Sequence, residues 1–192
     1  MVSEIIFGAP KNQRDIVAEI IYDTFENKFE SCFGSDKGIS LISKHLRNDR
    51  TVIAVSKGAV IGVGGLKFEG KEFIDVNFWQ LLRELKFGIF RVLFFGWIFY
   101  NKVEEKELLI DVLAVVREMR GKGIGSKLVA FIIDLACSKG CEQVKLFVTD
   151  TNKKAKILYE RMGFREVKAH KIPFPWSKIF GSSKVSEMIR EI

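Results

Sequence analysis

A glycine-rich turn near the middle of the chain has the residue types of a phosphate-binding loop. Residues 120–126 read RGKGIGS and join an apolar predicted strand to a predicted helix. The first N–H groups of a helix lack intrahelical partners and lie at the positive end of the helix dipole. Glycine lets the backbone approach an anion closely, and Arg120 and Lys122 add positive charge. The turn is therefore a candidate pyrophosphate site.

Two better-known phosphate loops do not fit this turn. The pattern GxxxxGK[ST] is absent from the chain, and the glycines at 121, 123 and 125 do not follow the GxGxxG spacing. A glycine-rich turn between a strand and a helix can also be a packing device, so the turn alone does not define a function.

A second segment, about thirty residues further on, also follows a predicted strand and opens a predicted helix. It reads NKKAKILYERMGF over 152–164, with Asn152 as a helix cap. Taken alone, Ala155 and Phe164 would be core residues and Gly163 a C-cap. Both segments in this order, on these elements, are far more specific than either one.

Together the two segments resemble those of the GNAT superfamily of acetyl-CoA-dependent N-acetyltransferases. The first matches (Arg/Gln)-x-x-Gly-x-(Gly/Ala) at Arg120, Gly123 and Gly125. The second matches Asn-x-x-Ala-x-x-x-Tyr-x-x-x-Gly-Phe at Asn152, Ala155, Tyr159, Gly163 and Phe164. The specific likeness covers roughly residues 107–166. One departure is Arg117, at a position where family members commonly have proline.

The resemblance implies an α/β (α+β) fold in a single domain, residues 1–192. Its central sheet would be mixed, mostly antiparallel and about seven strands wide, splayed between strands four and five, with helices on both faces. Acetyl-CoA would be the cosubstrate and would lie in that opening, with no metal, and an N–H near Val115 would polarise the thioester carbonyl. The residues assigned to cosubstrate binding are Leu113, Ala114, Val115, Arg120, Gly121, Lys122, Gly123, Ile124, Gly125, Ser126, Asn152 and Ala155.

Two catalytic residues are predicted. By the resemblance, Tyr159 protonates the departing thiolate, and a proton donor there suits such a leaving group. For the base, Asp111 is the one charged residue inside an apolar strand, on the face of Leu109 and Leu113 by period-two alternation, where burial would raise its pKa. Glu107 and a water relay are alternative bases, and a structural carboxylate is the alternative interpretation of Asp111.

Composition sets the wider limits. The 192 residues are 47% hydrophobic and 29% charged, which suits one domain with a sizeable core. Three cysteines, Cys32, Cys137 and Cys141, form neither a disulfide framework nor a zinc ribbon, and the N-terminus shows no signal peptide, so we expect a cytoplasmic protein. The net charge of +7 favours anionic partners, although no nucleic-acid motif is recognisable.

Strand and helix patterns interleave along the chain. Strands are predicted at 3–8, 51–57, 59–68, 107–116, 142–149, 164–170 and 183–190, with a hairpin turn at Lys57-Gly58, and helices at 12–26, 36–48, 123–139 and 152–162. The predicted inward residues are Ile16, Val17, Ile20, Ile21 and Phe25 on the first helix, and Ile124, Leu128, Phe131, Ile132 and Leu135 on the third.

The segment 77–101 departs from this pattern, because 16 of its 25 residues are apolar. Its longest stretch without a charge after Arg91 is far shorter than the ~20 residues that a membrane span needs. We predict a hydrophobic aromatic helix inserted before the fourth strand. It would pack on its own domain, on the acceptor cleft or on a second copy in a homodimer, and less readily on a membrane surface. Phe174, Trp176 and Phe180 could line the acceptor pocket or cover this helix.

Three functions fit these observations. The first is an N-acetyltransferase that moves the acetyl group of acetyl-CoA directly to a primary amine, of a small molecule or a protein, in a ternary complex. It needs no covalent intermediate, because no activated cysteine or serine is evident. The others are a non-catalytic CoA-binding sensor or scaffold, and an acyltransferase held at a membrane surface by the 77–101 helix.

Overall fold

The computed structural model describes residues 4–24, 35–75, 103–174, 177–178 and 181–192. Its strands are β1 (Glu4–Phe7), β2 (Thr51–Ser56), β3 (Ala59–Lys67), β4 (Glu107–Val115), β5 (Gln143–Thr149), β6 (Arg165–Lys171) and β7 (Lys184–Glu191). Its helices are α1 (Arg14–Thr24), α2 (Ser35–His45), α3 (Ile124–Ser138) and α4 (Lys153–Arg161). Every strand and helix predicted within these ranges is present, with ends that differ by a few residues.

The seven strands form one sheet in the order β1-β2-β3-β4-β5-β7-β6. The pairs within β1–β4 are antiparallel, as are β5–β7 and β6–β7, whereas β4 and β5 are parallel. The first hairpin turns at Lys57 and Gly58, with φ of 52° and 78°, which is the positive-φ pair that a tight two-residue turn requires. The predicted mixed, mostly antiparallel sheet is confirmed.

Apolar side chains cover both faces of the sheet. On one face Leu128 and Ile132 of α3 pack with Tyr159 of α4. On the other face Val17 and Ile21 of α1 pack with side chains of α2. The sheet is therefore the middle layer of three, and the prediction of helices on both faces is confirmed.

Some predicted core residues lie elsewhere. Ile16 is 43% exposed, because the buried stripe of α1 turns toward Ala18 and Tyr22 instead. Phe131 and Leu135 are only partly buried, at the edge of the α3 core. Phe25 lies outside the described residues.

A β-bulge interrupts β4 at Asp111. Gly65 of β3 pairs with Val112, and Leu66 pairs with Ile110, so Asp111 is the extra residue between them. Beyond the bulge the alternation is reversed, and Leu113 packs on the face of α3 together with Ile110. The prediction that Asp111 and Leu113 share a face is therefore wrong.

The predicted insertion at 77–101 lies outside the described residues, as do Trp176 and Phe180. Among the helices that the structure describes, none is long and apolar enough to cross a membrane.

Candidate active site

The sheet opens between its two parallel strands. β4 and β5 pair over only four positions, from Glu107 with Gln143 to Ile110 with Leu146. β4 then continues to Val115 on its partner β3, and β5 continues to Thr149 on its partner β7. The two strands therefore diverge after Ile110 and leave a gap between residues 111–115 and 147–149. This gap is the predicted splay.

The backbone of β4 offers hydrogen-bonding groups to this gap. The Val116 N–H donates to the Ile61 carbonyl at 3.1 Å, on the β3 side. In an antiparallel ladder successive residues direct their N–H and C=O groups to opposite sides, so the groups of Val115 and Leu113 point toward the gap. An extended ligand segment could pair with this edge as an added strand.

The glycine-rich turn has the geometry of an anion site. Gly121 and Gly123 have φ of 76° and 78°, and Gly123 begins α3 with no side chain capping the helix. Within the described part of the chain, none of the six N–H groups from Gly121 to Ser126 donates a hydrogen bond. A run of free N–H groups at the start of a 15-residue helix favours an anion there. We call residues 121–126 the cradle.

The two basic residues of the turn contact the chain itself. Arg120 Nε donates to the Val115 carbonyl at 2.9 Å, which ties the turn to the end of β4. Lys122 Nζ lies 3.6 Å from the Met119 sulfur and remains exposed. Arg120 is predicted to supply positive charge, and the structure shows that it also holds the turn against the end of β4.

The two sequence motifs meet in space. A Cβ at Gly125 would lie 3.1 Å from Leu158 Cδ1, so the absence of a side chain allows α4 to approach the first turn of α3. Asn152 accepts a hydrogen bond from the Ala155 N–H at 3.3 Å and caps α4. The cap fixes where α4 begins at the gap.

Tyr159 is buried, with 7% of its surface exposed, and its ring packs edge-on against Phe164 at 5.9 Å between centroids. Desolvation by burial raises the pKa of Tyr159 to about 12. No hydrogen-bond partner of its hydroxyl lies among the described residues. Tyr159 therefore keeps its proton at neutral pH, as a proton donor must.

Asp111 is an exposed residue of β4 rather than a core residue. Its side chain is open to solvent, yet the protein surrounds it closely enough for desolvation to raise its pKa to about 6. Glu72 raises this pKa further, while Lys67 lowers it. Lys67 Nζ lies 2.7 Å from Glu72 Oε1, so the two neighbours partly cancel.

Glu107, the alternative base, lies at the closed end of the gap. Its carboxylate is 4% exposed and accepts hydrogen bonds from the Gln143 side chain, from Lys145 Nζ at 3.0 Å and from the Glu104 N–H at 2.9 Å. These partners join β4 to β5 where the strands still pair. The Glu107 carboxylate is thus engaged where β4 and β5 pair, whereas Asp111 is the acidic residue of β4 beyond the paired positions.

Among the residues that the structure describes, no cysteine is paired with a histidine that could activate it as a nucleophile, and Cys32 lies outside them. Cys137 is exposed, and burial raises the pKa of the half-buried Cys141 thiol. His45 contacts the Asp75 carbonyl at 3.0 Å, and His170 pairs with Glu187 at 3.1 Å.

Sequence reasoning missed Lys67 and Glu72 as charged neighbours of Asp111, and Asp150 at the end of β5. The signal for Lys67 and Glu72 was weak, because they come near Asp111 only through the β3–β4 pairing. Asp150 follows β5 directly, two residues before the motif asparagine, and that position was the available clue.

Comparison with known proteins identifies the family of this chain. The model of the acetyltransferase (GNAT) family matches residues 15–164, which include the gap, the cradle and α4. The chain therefore belongs to the GNAT acetyltransferase family, a family of acyltransferase enzymes.

Individual relatives are similar over a shorter stretch. Thialysine N-epsilon-acetyltransferase of Sus scrofa is 37% identical over 71 residues, which are 37% of this chain and 42% of that protein. N-alpha-acetyltransferase MAK3 of Arabidopsis thaliana is 42% identical over 59 residues, 31% of either chain. The chain thus spans less than half the length of these curated relatives.

Several solved structures share the fold. The ribosomal-protein-S18-alanine N-acetyltransferase of Escherichia coli superposes with a TM-score of 0.63 at 14% identity, covering 100% of this chain and 94% of that one. Ard1 of Thermoplasma volcanium gives 0.64 at 16% identity, covering 100% and 99%. At these identities the likeness establishes the fold alone.

Proposed function

We propose that the protein transfers the acetyl group of acetyl-CoA directly to a primary amine, with both substrates bound at once. The amine nitrogen bonds to the acetyl carbon, and the carbon–sulfur bond breaks. One proton leaves the amine, and one proton reaches the sulfur, which gives an N-acetyl amide and free CoA. No enzyme-bound acyl group is required.

The observation that carries this proposal is the cradle beside the gap. The six successive N–H groups of the cradle, which donate no hydrogen bond to the residues that the structure describes, suit a pyrophosphate, and the adjacent open edge of β4 suits an extended thiol arm. The turn, the edge and the cap of α4 lie at one end of the sheet. The predicted cosubstrate residues, which are Leu113, Ala114, Val115, residues 120–126, Asn152 and Ala155, belong to these three features, and this supports the proposal.

The two predicted catalytic residues have protonation states that suit their roles. An amine acceptor with a pKa near 10 must lose a proton before it attacks, and a carboxylate with a pKa of about 6 is ionised at neutral pH and can receive it. Tyr159, with a pKa of about 12, holds a proton for the thiolate. The Val115 N–H, directed into the gap, supplies a donor for the carbonyl oxygen.

The acceptor class is a primary amine in this proposal. The names of the relatives refer to the ε-amine of thialysine in one case and to an α-amine in another. We therefore choose thialysine and a peptide with a free N-terminus as first acceptor probes.

The first experiment is titration calorimetry with acetyl-CoA. We expect micromolar binding by the wild type and its loss in Gly123→Glu, which puts bulk and negative charge into the cradle. Gly140→Glu is the matched control, because Gly140 also has a positive φ, of 71°, and open space, but lies at the other end of α3. Absence of binding by a folded wild type would overturn the proposal.

Turnover is tested by thiol release with both acceptor probes. We expect Tyr159→Phe to lower kcat about 10²-fold or more with little change in acetyl-CoA affinity, because it removes a proton donor and keeps the packed ring. Tyr22→Phe, a buried tyrosine on α1, is the control for loss of a buried hydroxyl. Equal rates in wild type and Tyr159→Phe would remove Tyr159 from the mechanism.

The proposal also covers the domain organisation, the cellular location and the oligomeric state of the protein. We propose one N-acetyltransferase domain over residues 1–192, a cytoplasmic location, and a homodimer through the 77–101 helix. The low number of cysteines supports the cytoplasmic location. The apolar surface of segment 77–101, which is larger than one face of a domain usually buries, supports the dimer. Light scattering of the full chain tests the dimer.

A further inference from the structure

A buried lysine lies beside the bulge in β4. Lys67 of β3 pairs with Leu109, two residues before Asp111. Leu66 packs under α3, so the alternation along β3 directs Lys67 to the opposite face of the sheet. Lys67 is 9% exposed, and an ammonium group that is so little exposed is costly unless an anion pairs with it.

The turn after β3 supplies that anion. Glu72 Oε1 accepts a hydrogen bond from Lys67 Nζ at 2.7 Å. The two partners differ in burial, since the Lys67 side chain is 11% exposed and the Glu72 side chain is 53% exposed. Phe68 and Lys71 exchange backbone hydrogen bonds of 3.3 and 3.1 Å, which close the turn. Glu72 is therefore held against Lys67 from the solvent side.

The Phe73 ring fastens this turn to the sheet at the bulge. A Cβ on Gly65 would lie 2.8 Å from Phe73 Cγ, so the ring rests on the backbone of β3 where glycine leaves room. Gly65 is the residue that pairs with Val112, just after Asp111. Phe73 is 3% exposed and belongs to the apolar cluster under α1. This contact therefore holds Glu72, the preceding residue, beside the bulge.

Few charges other than this ion pair face Asp111 from the described residues. On β5 the nearest cation is Lys145, which pairs with Glu107 and Glu187 at 3.0 and 3.6 Å. The helix α1 directs apolar side chains toward the sheet. The acidic residues of α1, all of them exposed, are Asp15, Glu19 and Asp23. The charge that acts on Asp111 therefore comes from the pair, in which the lysine lowers its pKa and the glutamate raises it.

We propose that the Lys67–Glu72 ion pair is a positioning element for the proposed base, in which Lys67 attracts the ionised form of Asp111 and Glu72 holds Lys67 in place and offsets part of its charge. This inference rests on the proposed function, in which Asp111 receives the proton of the amine. Lys67 without Glu72 would make the carboxylate a weaker base, and Glu72 without Lys67 would leave more of it protonated at neutral pH. The pair keeps the carboxylate between these two limits.

The test removes the two charges one at a time. In Glu72→Gln, Lys67 keeps its full charge, so we expect the pH midpoint of Asp111 ionisation to fall by about half a pH unit or more. In Lys67→Met, the anion is left without its cation, so we expect the midpoint to rise by a similar amount. Carbon-13 NMR titration of the Asp111 carboxyl, assigned with Asp111→Asn, measures this midpoint without turnover. The pH profile of kcat/KM for the acetylated probe, thialysine or the N-terminal peptide, should move in the same direction.

Glu69→Gln and Lys71→Met are the matched controls, because they remove the same charges from the same turn and neither residue changes the pKa of Asp111. Both should keep the wild-type midpoint. The double variant Lys67→Met/Glu72→Gln should return toward the wild-type midpoint, because both charges are gone. Every variant should bind acetyl-CoA with a Kd within twofold of wild type.

Shifts in the same direction in the two single variants, or no shift in either, would overturn the proposal. So would opposite shifts by NMR with kcat/KM profiles that stay at the wild-type midpoint. If Lys67→Met does not fold, the sign of the shift in Glu72→Gln, a change at an exposed turn residue, decides alone. Failure of the proposed function is read separately, from a wild type that binds no acetyl-CoA or acetylates neither probe.

Discussion

At the scale of single residues, the proposed site depends on Tyr159 and Asp111, whose pKa values are changed by their surroundings. Tyr159 and Asp111 both have raised pKa values, and in both cases desolvation is the largest cause. The consequences are opposite: a tyrosine with a higher pKa remains a donor, whereas a carboxylate near 6 can exchange a proton near neutral pH. Desolvation thus suits Tyr159 to the role of an acid and Asp111 to the role of a base.

Asp111 provides a pH test of this assignment. If it is the base, kcat/KM should rise with pH through about 6 and then level off, because only the ionised carboxylate accepts a proton. In Asp111→Asn we expect this rise with pH to disappear and the plateau value of kcat/KM to fall at least ~10²-fold. If the variant shows the same rise with pH, the titration belongs to another group, such as a water relay.

The raised pKa of Asp111 also predicts that the stability of the fold decreases with pH over the range in which activity increases. A folded-state pKa above the ordinary 3.8 means that the folded protein binds the proton more tightly than the unfolded chain. The contribution of Asp111 to the free energy of unfolding therefore decreases as pH rises from about 4 to about 6. Above pH 6 we expect Asp111→Asn to have a higher Tm than wild type, measured by calorimetry with Asp134→Asn as control.

At the scale of the elements, the two motif helices depend on each other. The first turn of α3 carries the cradle, and Leu158 of α4 packs where Gly125 has no side chain. A larger residue at 125 would push the helices apart and shift the N–H groups that precede it. The third glycine of the turn thus has a packing role in addition to any contact with a ligand.

This contact can be tested with a compensating pair. Gly125→Val should weaken acetyl-CoA binding about tenfold, because its side chain meets Leu158 Cδ1. Leu158→Ala makes room, so the double variant should recover part of the affinity, whereas Leu158→Ala alone should bind nearly as wild type. Equal affinity in Gly125→Val and wild type, measured by calorimetry, would show that the helix contact does not control the cradle.

How far the sequence predicts these elements depends on whether the signal is local. The hairpin at Lys57-Gly58, the strands, the helices and the position of the glycine turn follow from residue type and spacing over short windows. The bulge at Asp111 could not be predicted, since it exists only in the register of β4 against β3. The same limit applies to Glu107, whose partners come from β5 and the preceding turn.

At the scale of the whole molecule, the gap divides the sheet into a β1–β4 part and a β5–β7 part. Direct pairing of β4 with β5 joins them at four positions, and the Glu107 contacts to β5 and the apolar cluster under α3 and α4 add to it. A ligand that spans the open edges would therefore bridge the two parts. Such a ligand would add contacts to both parts, so we expect the global stability to depend on the cosubstrate.

This leads to a stability prediction for the complex. Acetyl-CoA that binds only the folded state stabilises it by RT ln(1 + [L]/Kd), which is about 2.7 kcal/mol at a free concentration of 100 times Kd. We expect urea unfolding to show this increase, with slower hydrogen exchange along β4 residues 111–115 and the cradle. Gly123→Glu should show neither effect, and Gly140→Glu should show both. An equal shift in Gly123→Glu would mean that acetyl-CoA stabilises the protein from a site other than the cradle, and the assignment of the gap would have to be abandoned.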